Sequence, residues 1–544
     1  MKSAAHWPKH FNLIAGGRTD HRHNPSRESM GSKAFNLLRM ADLGLSVPPA
    51  VVIGTHYTQS PDECIHPFFS AGLPALQEAT GLVFGDTRKP LIVSVRSGAP
   101  VSMPGMMETL LNIGLCDQTL PGLLRQTGNP RLVWDAYRRL IASYGEVVAG
   151  VPGHLFENEI EHVTQGHDER LLDFAELRAL THRFLAIYLE HAGHAFPQDV
   201  SEQLGGAIRA VFSSWHADKA QAYRKINRID PAMGTAVTIQ CMVFGNSGGH
   251  SGAGVGFTRD PTTGARQPWV DFLANAQGED VVSGRRNAHG HQALASVAPD
   301  AWHKLQDAVQ ALEHEFSDMQ DFEFTVQDGV LYLLQTRSGK RTPMAAARIA
   351  LDLMDEGLID AATALERTKD LREEELGTVR LASQGDSRST VSPLGQAISA
   401  SSGVVSGEIA LDGPRAAARA AEGVSVVLVR QDADTNDIAA LEFAAGLLTQ
   451  RGARTSHAAV VARQLGKVCL VACETLRIDL TARTVRLGDL LLKEGDVITL
   501  DGNDGRLYAG VVATVLVPDV ALIERLGALR ASQSPTRHRK HGAS

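Results

Sequence analysis

Apolar and polar positions change their rhythm several times along this chain, and each change marks a different kind of element. Residues 33–43 follow a helical period that stops at Gly44. The Val47-Pro48-Pro49 corner then leads into an apolar run, Ala50–Ile53, that predicts a strand. Residues 91–95 predict a second buried strand, running into a loop rich in Gly, Pro and Met. Residues 30–120 thus read as α/β. Residues 121–232 read as mostly helical, with the periodic segment LVWDAYRRLIASYGEVV and a long stretch over 176–191. Strands and turns return over 234–340, in TAVTIQCMVF, GVGFTRDPTTG and DFEFTVQDGVLYLLQTR. Residues 341–385 are helical and charged, and suit a linker with its own secondary structure. Gly-punctuated strands and short helices fill 390–515. Residues 1–29 are polar, His-rich and loop-like, and the tail from Ala531 is too poor in hydrophobics to order itself. No internal repeat is present.

Composition narrows the class. A chain of 544 residues suggests two to four domains, and 43% hydrophobic with 21% charged residues is ordinary for globular cores. A net charge of −8 with no basic stripe argues against a nucleic-acid coat. No apolar run reaches membrane-span length, and MKSAAHWPKHFN lacks a signal core, so a cytoplasmic protein is expected. Five cysteines are too few for a disulfide framework in a chain of this length. Cys469 and Cys473, in VCLVAC, read as buried small hydrophobes rather than metal ligands.

The sharpest chemical signal is His457, in TQRGARTSHAAVVARQLG. Residues 446–449 read as a strand end that Gly452 breaks. Thr455 or Ser456 supplies an N-cap, and residues 458–463 form a helix closed by Gly466. An imidazole there sits beside unsatisfied backbone N–H groups and the positive end of the helix dipole, where an attached phosphoryl group is stabilised. A neutral imidazole is also a competent nucleophile toward phosphorus. A lone capping histidine has the same spacing, so spacing alone does not decide.

Groups suited to a phosphoryl donor lie upstream. Lys33 follows Met30-Gly31-Ser32 at a helix start, where glycine lets the backbone approach a phosphate. Arg96 follows a buried strand, and a rigid guanidinium at a strand end can fork onto phosphate oxygens. The loop of Met103, Met106 and Met107 could cover a nucleotide or simply pack as core. Asp321 and Glu323 alternate on one strand. Across a short turn at Asp328-Gly329, Gln335 and Arg337 alternate on the next, a set that suits a Mg-nucleotide.

The string TSHAAVVAR, with Gly466-Lys467 beyond it, resembles the phosphohistidine motif of the phosphoenolpyruvate-utilising enzymes, most closely the pyruvate, phosphate dikinase family. GSKAFNLLRMADLGLSVPP, LIVSVRSGAPVSMPGMMETLLNIGL, GTAVTIQCMVFGNSG, GVGFTRDPTTG, NAQGEDVVSG and LYLLQTRSGKRT resemble that family's nucleotide domain, in its order. The SGAPVSMPGMM loop looks like the dikinase branch rather than the water-using synthases or antibiotic phosphotransferases. Ser32 departs from the glycine that usually precedes the lysine.

The resemblance implies a multidomain α/β fold. Residues 1–340 would be an ATP-grasp-like nucleotide domain with a helical insertion at about 121–232, and 341–388 a helical linker. Residues 389–515 would be a swivelling β/β/α phosphohistidine domain, and 516–544 a short helix and tail. It assigns ATP binding to Lys33, Arg96, Gln240, Glu279, Asp321, Glu323, Gln335 and Arg337, with Mg²⁺ at Glu323 and Gln335. It makes His457 the phosphoryl carrier, with Arg96 serving catalysis, and Thr455 a candidate regulatory phosphorylation site. ATP and inorganic phosphate are the implied substrates. In the family a pyruvate-binding (β/α)₈ barrel follows, a fold of roughly 250 residues. About 30 residues follow position 515 here, so a separate barrel subunit is expected to bring pyruvate. Another acceptor, a non-catalytic ATP-binding regulatory role, and a homodimer all stay open at this point.

Overall fold

The computed structural model describes residues 7–16, 25–103, 105–165, 167, 169–282, 289–382, 392–432, 437–454 and 456–532. The chain divides into two compact units, Met1–Gly252 with Phe324–Thr336, and Ala253–Glu323 with Arg337–Ser544.

A five-stranded sheet organises the first unit. Its order is Phe11–Ile14, Ala50–Ile53, Ala236–Cys241, Val93–Gly98, Thr109–Ile113, and every neighbouring pair is antiparallel. Val51, Ile53, Val93, Val95, Val237 and Ile239 are fully buried against the helices Pro130–Val147, Phe174–Ala192 and Val200–Ser213. Each such side chain contributes about 1.5–3 kcal/mol of burial. The helices begin where capping chemistry allows. Asn129 accepts from the Leu132 N–H, and Asp173 with Glu176 forms a reciprocal capping box. The helix from Phe174 stops at Gly193, whose φ of 76° a glycine adopts without strain.

Two elements of this unit differ from the sequence expectation. Phe11–Ile14 is a strand, not loop: Phe11 pairs with Ile53 and Ile14 with Ala50. Four residues carry too little periodicity to announce themselves, and the partner strand decides. The first long helix also starts earlier, spanning Arg27–Asp42 across a break at Gly31.

In the second unit lie Trp269–Ala274 and the helices Pro299–Phe316, Pro343–Asp355, Ala361–Thr368 and Val520–Ser532. Trp269–Ala274 ends a four-stranded sheet in the order Val330–Ser338, Gln320–Gln327, Gly252–Phe257, Trp269–Ala274. Leu351, Ala364, Leu376, Leu522 and Leu526 share one small core. Gly377–Leu381 pairs antiparallel with Thr514–Pro518. The last helix runs to Ser532, one residue past the point where composition turns polar; residues 533–544 lie outside the described residues.

Residues 395–509 form three layers. An eight-stranded sheet has a parallel centre, Val404–Ala410, Val426–Arg430, Gly446–Thr449 and Val468–Val471. The period of two along Val426–Arg430 sorts its faces. Val426 and Leu428 pack with Ala416, Ala458, Ala459 and Ala462 of two helices. Val427 and Val429 pack toward Val485, Leu487 and Leu492 of a small three-stranded sheet. Alanines on the helix faces let helix and sheet approach closely. Cys469 and Cys473 are fully buried, all five cysteines are free, and burial pushes the Cys469 thiol up to about 12. Among the described residues, no helix is long and apolar enough to cross a membrane.

Candidate functional site

The histidine loop folds as its composition dictates. Strand Gly446–Thr449 ends, Gly452 takes φ 140°, and the helix His457–Gln464 begins with Ser456 as N-cap. The Ser456 hydroxyl accepts from the Ala459 N–H at 3.4 Å, and Gly466 at φ 67° follows the helix. His457 is therefore the first helical residue, in the turn where backbone N–H groups lack intrahelical acceptors. The His457 ring and all of Thr455 lie outside the described residues. One turn and a half along, Arg463 is fully buried and donates to the Ala400 carbonyl at 2.9 and 2.7 Å. Burial lowers its pKa to about 10, which leaves it charged at neutral pH.

Lys33, Arg96 and Gln240 all belong to the first unit. Gly31 sits at φ 76°, and a Cβ there would lie 1.9 Å from the Gly98 carbonyl oxygen. The close approach lets Ser32 donate from N and Oγ to the Ala99 carbonyl at 2.9 and 3.1 Å. Lys33, exposed, follows directly. Arg96 is not beyond a strand end as its sequence context suggested. Its strand spans Val93–Gly98, and Arg96 pairs with Thr109 on one side and Thr238 on the other. Two ladders hold its backbone, so the guanidinium starts from a rigid base. Arg96 Nη1 donates to Gln240 Oε1 at 3.3 Å, and Gln240 Nε2 donates to the Pro48 carbonyl at 3.2 Å. Gln335, 5% exposed, belongs to the same unit. Its neighbour Thr336 accepts at its carbonyl from Asn36 Nδ2 at 2.8 Å, tying this strand to the helix that carries Lys33.

The methionine loop is packed rather than open. Met103 is buried with Ala99, Trp215 and Ala220, and Met106 and Met107 pack on the same cluster. Arg224 stacks over Trp215 at 4.1 Å. Pro104 lies outside the described residues.

In the second unit, Arg337 grips Asp321: Nε and Nη2 lie 2.9 and 2.8 Å from Oδ2. Burial pushes the Asp321 carboxyl up and the nearby Glu323 charge adds to it, against the pull of Arg337 and Arg463. Burial opposes the Arg337 charge, but Asp321 and Glu323 outweigh it and raise its pKa. Carboxylate with amide oxygen is a donor set Mg²⁺ takes. Glu323 supplies such a carboxylate; among the described residues no group of three or more His, Cys, Asp or Glu stands together to hold a metal ion. The turn after Gln320–Gln327 uses Asp328 at φ 50° and Gly329 at φ 80°, as the Asp-Gly pair predicts. Glu279 lies in the short helix Gly278–Val282, and its side chain is outside the described residues.

A family model described as the AMP/ATP-binding domain of pyruvate phosphate dikinase matches residues 74–291 and 288–357. The chain belongs to the pyruvate phosphate dikinase family. A second model, the mobile domain of PEP-utilising enzymes, matches residues 423–505, the stretch that carries His457. Among curated relatives, pyruvate, phosphate dikinase of Clostridium symbiosum is 42% identical over 500 residues, covering 90% of this chain and 57% of the relative. The Rhizobium meliloti (strain 1021) enzyme is 40% identical over 517 residues, covering 91% and 57%. The chloroplastic enzyme of Flaveria pringlei is 40% identical over 496 residues, covering 88% and 51%. The chain thus spans about half the length of the curated relatives it matches.

Proposed function

We propose that this chain is an ATP-dependent phosphotransferase that loads a phosphoryl group onto His457 by dikinase chemistry. A nitrogen of the His457 ring attacks the β-phosphorus of ATP, and the bond to AMP breaks. Inorganic phosphate then takes the outer phosphoryl group, leaving as pyrophosphate. His457 retains one phosphoryl group for an acceptor, which in this reading is pyruvate held by a separate barrel-type partner. The observation that carries the reading is a histidine at the first position of a capped helix, within a segment that matches the mobile domain of PEP-utilising enzymes.

Each residue's duty follows from its chemistry. Lys33 and Arg96 neutralise phosphate oxygens, and Arg96 directs charge because its strand is held on both sides. Gln240 orients Arg96 through its amide oxygen. Asp321 fixes the Arg337 guanidinium, and Glu279 stands as a further nucleotide contact. Glu323 and Gln335 would hold Mg²⁺, which when bound shields the polyphosphate charge against an incoming nucleophile. Movement of the 395–509 module is needed for delivery, since one histidine serves two reactions.

The test is incubation with ATP labelled at the β-phosphorus, Mg²⁺ and phosphate. The expected product is acid-labile, base-stable label on His457 with release of AMP. His457→Asn is expected to bind ATP and take no label; label retained in that variant would overturn the assignment.

A further inference from the structure

The loop before His457 is held by a side chain that the proposed chemistry leaves unused. Arg454, three residues upstream, donates from Nε to Asp271 Oδ1 at 2.9 Å, and its Nη2 lies 2.8 Å from the same oxygen. Nη2 also donates to the Val270 carbonyl at 3.1 Å. The guanidinium carbon stands 4.3 Å from the centre of the Trp269 ring. One arginine therefore engages three successive residues of the Trp269–Ala274 strand by ring, carbonyl and carboxylate. Asp271 is only 2% exposed, so its charge needs partners, and Arg454 is one. The residue next to Arg454 joins in: Ala453 packs in an apolar cluster with Val255, Leu273 and Ala276.

The same indole takes a second cation. Arg463 lies 4.7 Å from the Trp269 ring centre and 5.3 Å from that of Phe257. Arg463 Nη2 also donates to the Arg454 carbonyl at 3.0 Å. Its hydrogen bonds end on Ala400 and Arg454, both inside or beside the sheet that carries His457. Arg463 can therefore keep them if the loop leaves the strand. The bonds from the Arg454 side chain end on the strand itself and break on departure. Arg454 is 20% exposed, so water reaches the pair and can replace it.

The gripped strand has a direction that matters. Trp269–Ala274 leads into the helix Gly278–Val282, which contains Glu279. Holding the histidine loop on this strand fixes His457 relative to the backbone that presents Glu279.

We infer that Arg454 is a positioning residue for phosphoryl uptake, a breakable clamp that docks the His457 loop on Trp269, Val270 and Asp271. The inference rests on the phosphohistidine reading for its consequence but not for the clamp itself. A planar fork with a stacking face suits such a clamp, and lysine cannot reproduce both contacts. An ion pair that tolerates water is also weakened by salt.

The experiment uses the full chain and the variants Arg454→Gln, Arg454→Lys, Asp271→Asn and the Gln/Asn double. Single-turnover labelling from β-labelled ATP is measured across salt concentrations, beside equilibrium ATP binding. Arg454→Gln is expected to slow labelling on the order of 10- to 100-fold, as a loosened reacting group does, with ATP affinity within about twofold. Its rate should lose the salt dependence of the parent. Arg454→Lys should recover only part of the rate, and the double variant should be no slower than the slower single. Hydrogen exchange supplies a readout independent of activity: Arg454→Gln should speed exchange in residues 269–273 and 449–454 and leave 93–98 unchanged. Parent-like labelling and salt dependence in Arg454→Gln would overturn the positioning role. Unchanged exchange in both segments would overturn the clamp, whether or not the parent takes label. Loss of ATP binding in step with labelling would assign Arg454 a merely structural role. A parent chain that takes no label would instead sink the phosphohistidine reading, while exchange still decides the clamp.

Discussion

Arg96 and Glu323 are both nucleotide contacts in the proposed reading, and their own surroundings make different demands on replacement. Arg96 leans on Gln240 and is braced by two strands, so truncation removes a charge without removing a core contact. Glu323 is half-buried beside Asp321, whose pKa it raises. Removing Glu323 relieves its repulsion of Asp321 and loses its attraction to Arg337, so Glu323→Ala should fold about as well as the parent. Both Arg96→Ala and Glu323→Ala are expected to slow His457 labelling by about 10²–10³, the typical loss of one preorganised electrostatic group. Thermal unfolding beside labelling kinetics separates the two effects; parent-like rates in both variants would move the nucleotide chemistry elsewhere. At this scale the sequence is readable where a residue's role is local. His457, Ser456 and Gly466 form one short segment whose capping pattern is visible in the string. The Arg454–Asp271 pair is not visible, because its members lie 183 positions apart and no local period links them. The available hint was a single acidic residue inside the apolar run WVDFLA.

Elements were legible to the extent that their own periodicity or turn chemistry specified them. Ala50–Ile53 and the Asp328-Gly329 turn stand where the residue pattern puts them. Phe11–Ile14 was hidden, since four residues become a strand only when Ala50–Ile53 offers its edge. Gly31 shows how an element can depend on another across the sheet. It breaks the Arg27–Asp42 helix so that the next turn can meet Gly98 and Ala99, and Lys33 is carried on that turn. Any side chain at 31 meets the Gly98 carbonyl oxygen and a φ that L-residues rarely adopt. Gly31→Ala should therefore destabilise the first unit by about 1–3 kcal/mol. It should also weaken ATP binding more than it slows labelling at saturating ATP, because Lys33 is displaced rather than lost. Denaturant unfolding and nucleotide titration check the two parts. Full ATP affinity in a destabilised Gly31→Ala would separate the turn from the nucleotide.

Across the whole molecule, the question is how much of a dikinase cycle these 544 residues can run. The chain covers 57% of one matched relative and 51% of another, and the two family models are described as an AMP/ATP-binding domain and a mobile domain. In the proposed reading, uptake of phosphoryl from ATP and phosphate needs only a nucleotide site and the histidine. Making phosphoenolpyruvate needs a further site that binds pyruvate and stabilises its enolate. The segment after the carrier sheet here is the strand Thr514–Pro518 and the helix Val520–Ser532, whose buried Leu522, Leu526 and Leu529 pack into a small helical core. Those leucines are committed to packing. A polypeptide of residues 1–544 is therefore expected to catalyse exchange of label between AMP and ATP in the presence of pyrophosphate and phosphate. It is expected to form no phosphoenolpyruvate when pyruvate is added. Supplying a barrel domain from a dikinase as a second polypeptide should restore turnover if the carrier surface docks on it. His457→Asn should abolish exchange and turnover together, because both halves pass through one ring. Stoichiometric phosphoenolpyruvate from residues 1–544 alone, measured by a coupled assay, would reveal a pyruvate site within these elements and refute the division of labour.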